Sequence, residues 1–259
     1  MPRYPPMVLY WATLFLLFIQ CVRLANTKEL WENVSWMCLR LVTHTDRFMF
    51  SWLFAKYYDH IMADAEQKGL QDWRKSLLEN VSGEVLELGC GTGSNLAFYP
   101  ADVKHLVIAE PSRYMQQQLK IKLEQYKHLN VTILDYDGNS IPVPDDSFDA
   151  VVSTLVLCTV GNPMNTLAEI YRVLKPQAKL IFIEHVAAVN NPKRLKWQKR
   201  LEPIWKMIGC GCHLTRQTEQ LIIQAGFQLQ EITRESMRGV PPIVRPSIRG
   251  IAIKRNEAV

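Results

Sequence analysis

A glycine-rich run directly after a short β-type stretch constrains the fold of this chain more than any other feature. Glu87-Leu88-Gly89-Cys90-Gly91-Thr92-Gly93 follows an apolar run at residues 84–86 and precedes residues 94–98, which predict the start of a helix. Three glycines at alternate positions let the backbone of a strand-to-helix turn approach a ligand closely. In open α/β sheets such turns lie at the carboxyl edge of the strands, where ligands bind.

The spacing of the glycines and two acidic residues indicates the class of ligand. The spacing is GxGxG, whereas dinucleotide folds use GxGxxG. Glu87 stands two positions before the first glycine, where it suits an ammonium group, and Glu110 ends the next β run at residues 106–109. A carboxylate in that second position suits ribose hydroxyls. The pattern favours S-adenosylmethionine (SAM) over NAD; a turn without ligand and a helix-capping role for Glu110 are the alternatives.

From residue 81 onward, β-type and helical segments alternate, which predicts a doubly wound parallel sheet. The β runs are 84–88, 106–109, 131–134, 150–154 and 180–183, separated by helices near 94–99, 112–126 and 163–173. A helix at 215–225, capped by Gly226, and two further runs at 227–233 and 249–254 predict an antiparallel pair at the edge of the sheet. We expect the third run to place Asp137, Gly138 and Asn139 against adenine, although D-G pairs also mark plain turns.

The N-terminal segment is uncharged from residue 4 to residue 22 and ends at Arg23. A helix over residues 7–22 would be about 24 Å long, short for a hydrocarbon core of about 30 Å unless Arg23 snorkels. A membrane anchor at residues 1–25, spanning or interfacial, is the favoured interpretation. A cleaved signal peptide and a buried core helix are the second and third.

Two further segments combine aromatic residues with helical spacing. Residues 26–80 predict an aromatic-rich helical cap, in which Met49, Trp52, Leu53, Tyr57 and Ile61 share one face. This face either packs on the catalytic domain or forms a lid or membrane-facing wall. Residues 190–214 form a basic amphipathic insert in which residues 193–208 predict a second membrane contact, or else a solvated basic face.

Charge and cysteine content limit the partners. The net charge of +5 favours an anionic surface, and without a nucleic-acid motif we expect membrane rather than nucleic acid. The six cysteines have no framework spacing, which predicts free thiols. Cys210-Gly211-Cys212-His213 is half of a metal-binding pattern, but its partner half is missing, so no metal site is predicted.

The motifs together resemble class I SAM-dependent methyltransferases over about residues 80–190. The resemblance rests on residues 87–93, Glu110, residues 137–142, residues 147–154 and residues 172–176. Residues 154–160, 183–188 and 214–216 are similar to a narrower group, the membrane-associated alkyl thiol S-methyltransferases. This resemblance implies a Rossmann-like α/β fold with a seven-stranded, mostly parallel sheet, helices on both faces and an N-terminal membrane-anchor helix. It divides the chain into the anchor, the cap and a methyltransferase domain at 81–259.

The resemblance also implies SAM as cofactor and methylation of small lipophilic thiols at the cytosolic face of the endoplasmic reticulum, or at lipid droplets. A quinone- or sterol-type C- or O-methyltransferase and a non-catalytic SAM-binding membrane protein are the alternatives. His185, at the end of the fifth β run, is the candidate general base; a structural role for it is equally open. The expected cofactor-binding residues are Glu87, Gly89, Cys90, Gly91, Thr92, Gly93, Asn95, Glu110, Pro111, Asp137, Gly138, Asn139, Thr154 and Leu155.

Two positions depart from the family pattern. Glu110 stands where the family usually has Asp, so the charge is kept and the reach is longer. Gln177 and Ala178 replace the two glycines that usually follow Lys175-Pro176. We expect this turn to close without the conformational freedom of glycine.

Overall fold

The computed structural model describes residues 44–255 except 135 and 137–139, with side chains from residue 51. The predicted anchor at 1–25 and the predicted adenine contacts Asp137, Gly138 and Asn139 lie outside the described residues. The chain divides into two compact units, Met1–Phe48 and Met49–Val259, and the second contains the sheet. Within the described residues, no helix combines the length and apolar character needed to cross a bilayer.

Seven strands form one sheet in the order β3-β2-β1-β4-β5-β7-β6. Strands β1 to β5 are parallel, and β7 pairs antiparallel with both β5 and β6. The predicted sheet and its antiparallel edge are therefore confirmed; β7 lies between β5 and β6, so β6 is the edge strand. The strands are Gly83–Leu88, Val103–Ala109, Val131–Leu134, Phe148–Thr154, Leu174–His185, Phe227–Ser236 and Pro246–Lys254.

Helices cover both faces of the sheet, as predicted. They are α1 (His44–Ala65), α2 (Gln71–Leu78), α3 (Arg113–Leu123), α4 (Pro163–Val173), α5 (Pro192–Ile208) and α6 (Thr218–Gln224), with a π-helical turn at Glu66–Leu70. Successive residues of a strand point to opposite faces. Leu86 accordingly joins the core under α4 and α6, whereas Val85 joins the core under α2 and α3. Burial on both faces explains why these strands read as continuous apolar runs.

The helix predicted at residues 94–99 is wrong. A single 3₁₀ turn, Leu96–Phe98, follows the glycine run, and Tyr99 is already extended before Pro100. Asn95 is buried, and its side chain bonds inward to Glu87 and Thr154 instead of lying on a helix surface. Tertiary hydrogen bonds therefore override the local helical preference, and no helix N-terminus follows the glycine turn.

The aromatic stripe predicted on α1 does not face the domain. Trp52, Tyr57 and Ile61 are 43%, 43% and 55% exposed. The packed face of the helix contains instead the small residues Ala55 and Ala65, which are buried. Small side chains let the helix approach closely, which leaves the large apolar residues on the outer face.

Helix α5 is docked through a polar residue. Gln198 is fully buried, accepts a hydrogen bond from the Ala188 amide and donates to the carbonyls of Val186 and Ile243. Pro203 lies inside the helix rather than at its start. Along the predicted apolar face, Ile204 is buried but Trp197 is 47% exposed.

Candidate active site

The three glycines of the turn have different structural roles. All have positive φ: 62° at Gly89, 59° at Gly91 and 87° at Gly93. A Cβ at Gly89 would lie 2.6 Å from Val156, and one at Gly93 would lie 2.7 Å from Leu96. A Cβ at Gly91 would meet nothing within 4 Å. Gly91 is therefore the residue whose backbone faces open space, whereas the other two are needed for packing.

Glu110 connects the end of β2 to this turn. One carboxylate oxygen accepts the Gly91 amide at 2.9 Å, and the other accepts the Ser112 amide at 2.7 Å. Burial raises the pKa of Glu110, and these two hydrogen bonds oppose that rise. Each carboxylate oxygen has two acceptor positions, so capacity remains for a ligand. The expected contact with ribose hydroxyls stays a prediction.

Glu87 is held by a buried network. It accepts Asn95 Nδ2 at 2.9 Å and the Tyr99 hydroxyl at 2.8 Å, and the Cys90 thiol also bonds to it. Burial raises the pKa of Glu87, and the hydrogen bonds from Tyr99 and Asn95 oppose this. The side chain of Cys90 therefore points into the protein. The predicted contact of Glu87 with an ammonium group stays a prediction.

Arg74 of α2 completes this network, and the sequence reasoning missed it. Its guanidinium is 3% exposed, donates to Asn95 Oδ1 at 2.7 Å and pairs with Glu66 at 3.0 Å. Asn95 in turn donates to Thr154 Oγ1 at 3.2 Å. The ends of β1 and β4 are thereby connected to α2. The sequence signal for this role is that Arg74 shares the buried face of α2 with Leu77 and Leu78.

Helix α1 is fastened to the glycine turn. The buried Thr92 hydroxyl donates to Asp59, which also pairs with Lys122 at 2.8 Å. Tyr58 lies one residue earlier, and burial raises its pKa to about 12. The hydroxyl of Thr92, a predicted cofactor-binding residue, is thus used to attach α1 beside the site.

The loop after β4 is strained and strongly tethered. Leu155 has φ +59°, a conformation that costs side-chain-bearing residues about 1–3 kcal/mol and clusters at functional sites. The Glu184 carboxylate, fully buried, accepts the amides of residues 156, 157 and 158 at 3.0, 2.8 and 3.0 Å. Ser153 Oγ adds a fourth bond at 3.1 Å. The sequence reasoning did not assign Glu184 this role, which no local pattern signals.

His185 is not an isolated imidazole. Its Nε2 lies 2.5 Å from Cys212 Sγ, and its buried Nδ1 has no hydrogen-bond partner in the described part of the chain. Cys158, Cys212 and His185 each offer a ligand atom, and these atoms lie within 4.8 Å of one another. The hydrogen bond from Cys158 lowers the pKa of Cys212 to about 4 and raises that of Cys158.

The predicted site residues within the described range therefore converge. Gly89, Gly91, Glu110, Thr154 and His185 lie at the carboxyl ends of β1, β2, β4 and β5, joined by the bonds above. Pro111 follows Glu110 at the same edge. This edge of a parallel sheet is where doubly wound folds bind ligands.

Comparison with known proteins identifies the family. Residues 86–182 match the family described as "Methyltransferase domain". Thiol S-methyltransferase TMT1B of Rattus norvegicus is 41% identical over 185 residues, covering 68% of this chain and 74% of the relative. The Homo sapiens TMT1B is 33% identical, covering 84% and 95%, and TMT1A of Homo sapiens is 31% identical, covering 88% and 91%. The chain belongs to the thiol S-methyltransferase family.

Solved structures support the fold of this family member. A SAM-dependent methyltransferase from Thermotoga maritima aligns with a TM-score of 0.57 at 17% identity, covering 81% of this chain and all of that one. The YcgJ protein from Bacillus subtilis aligns with a TM-score of 0.56 at 16% identity, covering 74% and 100%. At these identities the likeness concerns the fold alone.

The cofactor of this thiol S-methyltransferase family member is SAM. The residues present fit it: Gly91 leaves room for a ligand against its backbone, and Glu110 keeps acceptor capacity beside it. The strained Leu155 stands at the end of the neighbouring strand β4. The chain is therefore a SAM-dependent methyltransferase.

Proposed function

We propose that this enzyme methylates the sulfur of small lipophilic thiols at a membrane surface. The observation that carries the proposal is the cluster of Cys158, His185 and Cys212, in which Cys158 lies on the loop that begins at Leu155. Val156 of this loop packs against Gly89 of the glycine turn. The acceptor would thus be bound beside the donor, and the named activity of the relatives supports a thiol as acceptor.

The protein contributes mainly position and exclusion of water. SAM supplies a methyl group that is already activated as a sulfonium. Gly91 and Glu110 would hold the donor, and Leu155 would turn the chain toward the acceptor. Helix α1, fastened through Asp59 and Thr92, closes one side of the site. Fixed alignment and a dry site lower the barrier of a one-step displacement.

The acceptor thiol must also lose its proton, because the thiolate is the nucleophile and a free thiol has a pKa of about 8.5. His185 as general base stays a prediction. In this structure Nε2 of His185 contacts Cys212 Sγ, so this contact would have to break before Nε2 could accept the proton of the acceptor thiol.

The test is full-length protein in detergent with labelled SAM and three sets of acceptors: alkyl thiols, quinols and phenols. We expect labelled methyl thioethers, with rates that increase with the apolar size of the thiol. Labelled quinol or phenol products without thioether would contradict the proposal. Binding of SAM without transfer to any acceptor would also contradict it, and would favour a non-catalytic protein.

Attachment to the membrane is proposed through residues 1–25 and through 193–208, at the cytosolic face of the endoplasmic reticulum or at lipid droplets. Support comes from the uncharged N-terminal run and from α5, where Trp197 is exposed among basic residues. Arg200 lies 5.7 Å from the centre of the Trp197 ring. An aromatic side chain flanked by cations suits the interface of anionic lipid.

Flotation with anionic and neutral liposomes tests the second contact after deletion of residues 1–25. We expect residual binding to anionic vesicles that Trp197→Ser weakens. Ile121→Ser is the matched control, because Ile121 is 66% exposed on a different helix. Absence of residual binding, or equal loss with Ile121→Ser, would reject a contact through α5. Fluorescence microscopy of the full chain tests the compartment.

A further inference from the structure

Three potential metal ligands from separate parts of the chain meet at one buried point. Cys158 lies in the loop after β4, His185 is the last residue of β5, and Cys212 lies in the loop after α5. Their ligand atoms are within 4.8 Å of one another. Cys158 and His185 are 1% and 5% exposed. The convergence is therefore a property of the fold rather than of one local motif.

Backbone hydrogen bonds fix each of the three residues, and two of these bonds also join their segments to one another. The Cys158 amide donates to Glu184, and its carbonyl accepts the His213 amide at 2.8 Å. His185 is paired with Ser247 of β7, and the Cys212 amide donates to the Gly209 carbonyl at 3.1 Å. A group bound between the side chains would find its ligands already in place.

We propose that Cys158, His185 and Cys212 bind one zinc ion and leave its fourth position open to the sulfur of the methyl acceptor. Two cysteines and one histidine are a ligand set of catalytic zinc, which keeps an open position, whereas structural zinc has four protein ligands. Tetrahedral zinc places its ligand atoms about 3.6–3.8 Å apart. That spacing lies within the 4.8 Å span of the three ligand atoms, and the 2.5 Å contact of His185 with Cys212 must widen by about 1 Å.

The imidazole gives a second, independent indication of a missing partner. His185 Nδ1 is buried, and the described residues provide no hydrogen-bond partner for it. Buried polar atoms are nearly always paired, so an unpaired one points to an absent water, ion or ligand. Nδ1 is therefore the unpaired nitrogen of His185, while Nε2 already lies on the side of Cys212.

The open position gives the zinc its chemical role, which rests on the proposed thiol methyltransferase activity. In this role His185 is a zinc ligand and takes the place of the general base that the sequence predicts. The acceptor's S–H bond breaks, its proton passes to solvent and a zinc–sulfur bond forms, because a thiol that coordinates zinc is deprotonated. The new S–CH₃ bond then forms as the C–S bond of the sulfonium breaks, giving a thioether and S-adenosylhomocysteine. A neutral thioether binds zinc weakly and leaves.

Metal analysis of the full-length protein tests the site without reference to turnover. The protein is purified in detergent without chelator or histidine tag, and zinc per polypeptide is measured by mass spectrometry. We expect about one equivalent in the wild type, and less than about a tenth in Cys158→Ser, Cys212→Ser and His185→Gln. Cys210→Ser is the matched control from the same loop and should keep its zinc.

Two further measurements separate folding from ligation. Circular dichroism and SAM titration should show that each variant is folded. Wild-type protein that holds no zinc after addition of the metal, or variants that keep it, would overturn the site. A disulfide between Cys158 and Cys212 in protein purified under reducing conditions would also overturn it.

Cobalt substitution tests the open position. Thiolate-to-cobalt absorption bands should appear in the wild type and should change when an alkyl thiol is added. Bands that ignore the thiol would overturn the role of the fourth position. If the bands respond but labelled SAM yields no thioether, the metal site stands and the proposed function fails.

Discussion

Substituting Gly91 and Gly93 of the turn by alanine, one at a time, should separate folding from cofactor binding. Gly91 has φ +59°, and nothing lies within 4 Å of the place that an alanine methyl would take, so Gly91→Ala adds only backbone strain. That strain is about 1–2 kcal/mol. In Gly93→Ala the new methyl would lie 2.7 Å from Leu96 and 2.9 Å from Leu119. Overpacking adds about 1–3 kcal/mol to the same strain.

The loss of SAM affinity should follow the opposite order, with Gly91→Ala losing more than Gly93→Ala. The methyl of Gly91→Ala occupies the space that the donor needs against the backbone, so we expect SAM affinity to fall at least about tenfold, or 1.4 kcal/mol. Gly93→Ala protein that remains folded should lose less affinity, because its methyl points into the core. Urea unfolding and calorimetric titration with SAM, both on full-length protein, provide the two numbers. Unchanged SAM affinity in Gly91→Ala would refute the placement of the donor.

Three other substitutions test separate parts of the structure. Gln177 is exposed with φ +63°, so Gln177→Gly should raise the free energy of unfolding by about 0.5–1 kcal/mol. Lys179→Gly, two residues later in β5, should lower it, and thermal melts check both. Glu110→Ala should abolish SAM binding in calorimetry while Glu110→Asp retains part of it, and full affinity in Glu110→Ala would contradict the ribose assignment. The hydrogen bonds that Arg172 donates lower the pKa of Glu169 in the folded protein. Ionised Glu169 therefore stabilises the fold at pH values above its unfolded-state pKa, and this stabilisation is lost as the pH falls through its folded-state pKa. The Glu169→Gln protein should therefore be about 1 kcal/mol less stable than wild type at neutral pH, and this difference should disappear below about pH 4. Glu124 forms an exposed ion pair with Lys127, so the stability of Glu124→Gln relative to wild type should not change with pH; urea unfolding at several pH values measures both.

The sequence predicts the sheet well because burial on both faces makes each parallel strand an apolar run. It predicts the glycine turn and Glu110 because these depend on residues that are close in sequence. The predicted helix at 94–99 fails because Asn95 finds better partners in Glu87 and Thr154. The sequence leaves open which side of α1 packs, because apolar periodicity identifies a stripe but not which side is buried; here Trp52 is exposed while Ala55 is buried.

Gln177 stands where the family usually has glycine, and it adopts the backbone conformation that glycine would adopt there. The turn before the long part of β5 requires a left-handed residue, and Gln177 adopts that conformation in place of glycine. Its side chain is exposed, so the strain is confined to the backbone. The sulfur cluster could not be predicted, because Cys158, His185 and Cys212 lie far apart in sequence and meet only through the sheet order. Of the run Cys210–His213, only Cys212 belongs to the cluster; Cys158 lies in the loop after β4, and His185 ends β5.

The adjoining residues Glu184 and His185 connect the loop after β4 with the cluster of Cys158, His185 and Cys212. Successive residues of a strand point to opposite faces, so these two side chains diverge from the end of β5. The Glu184 carboxylate holds the amides of residues 156–158, while the His185 imidazole contacts Cys212. The loop that begins at the strained Leu155 therefore crosses the end of β5 and brings Cys158 to the histidine side. One strand end therefore holds both the loop after β4, through Glu184, and the contact with Cys212, through His185.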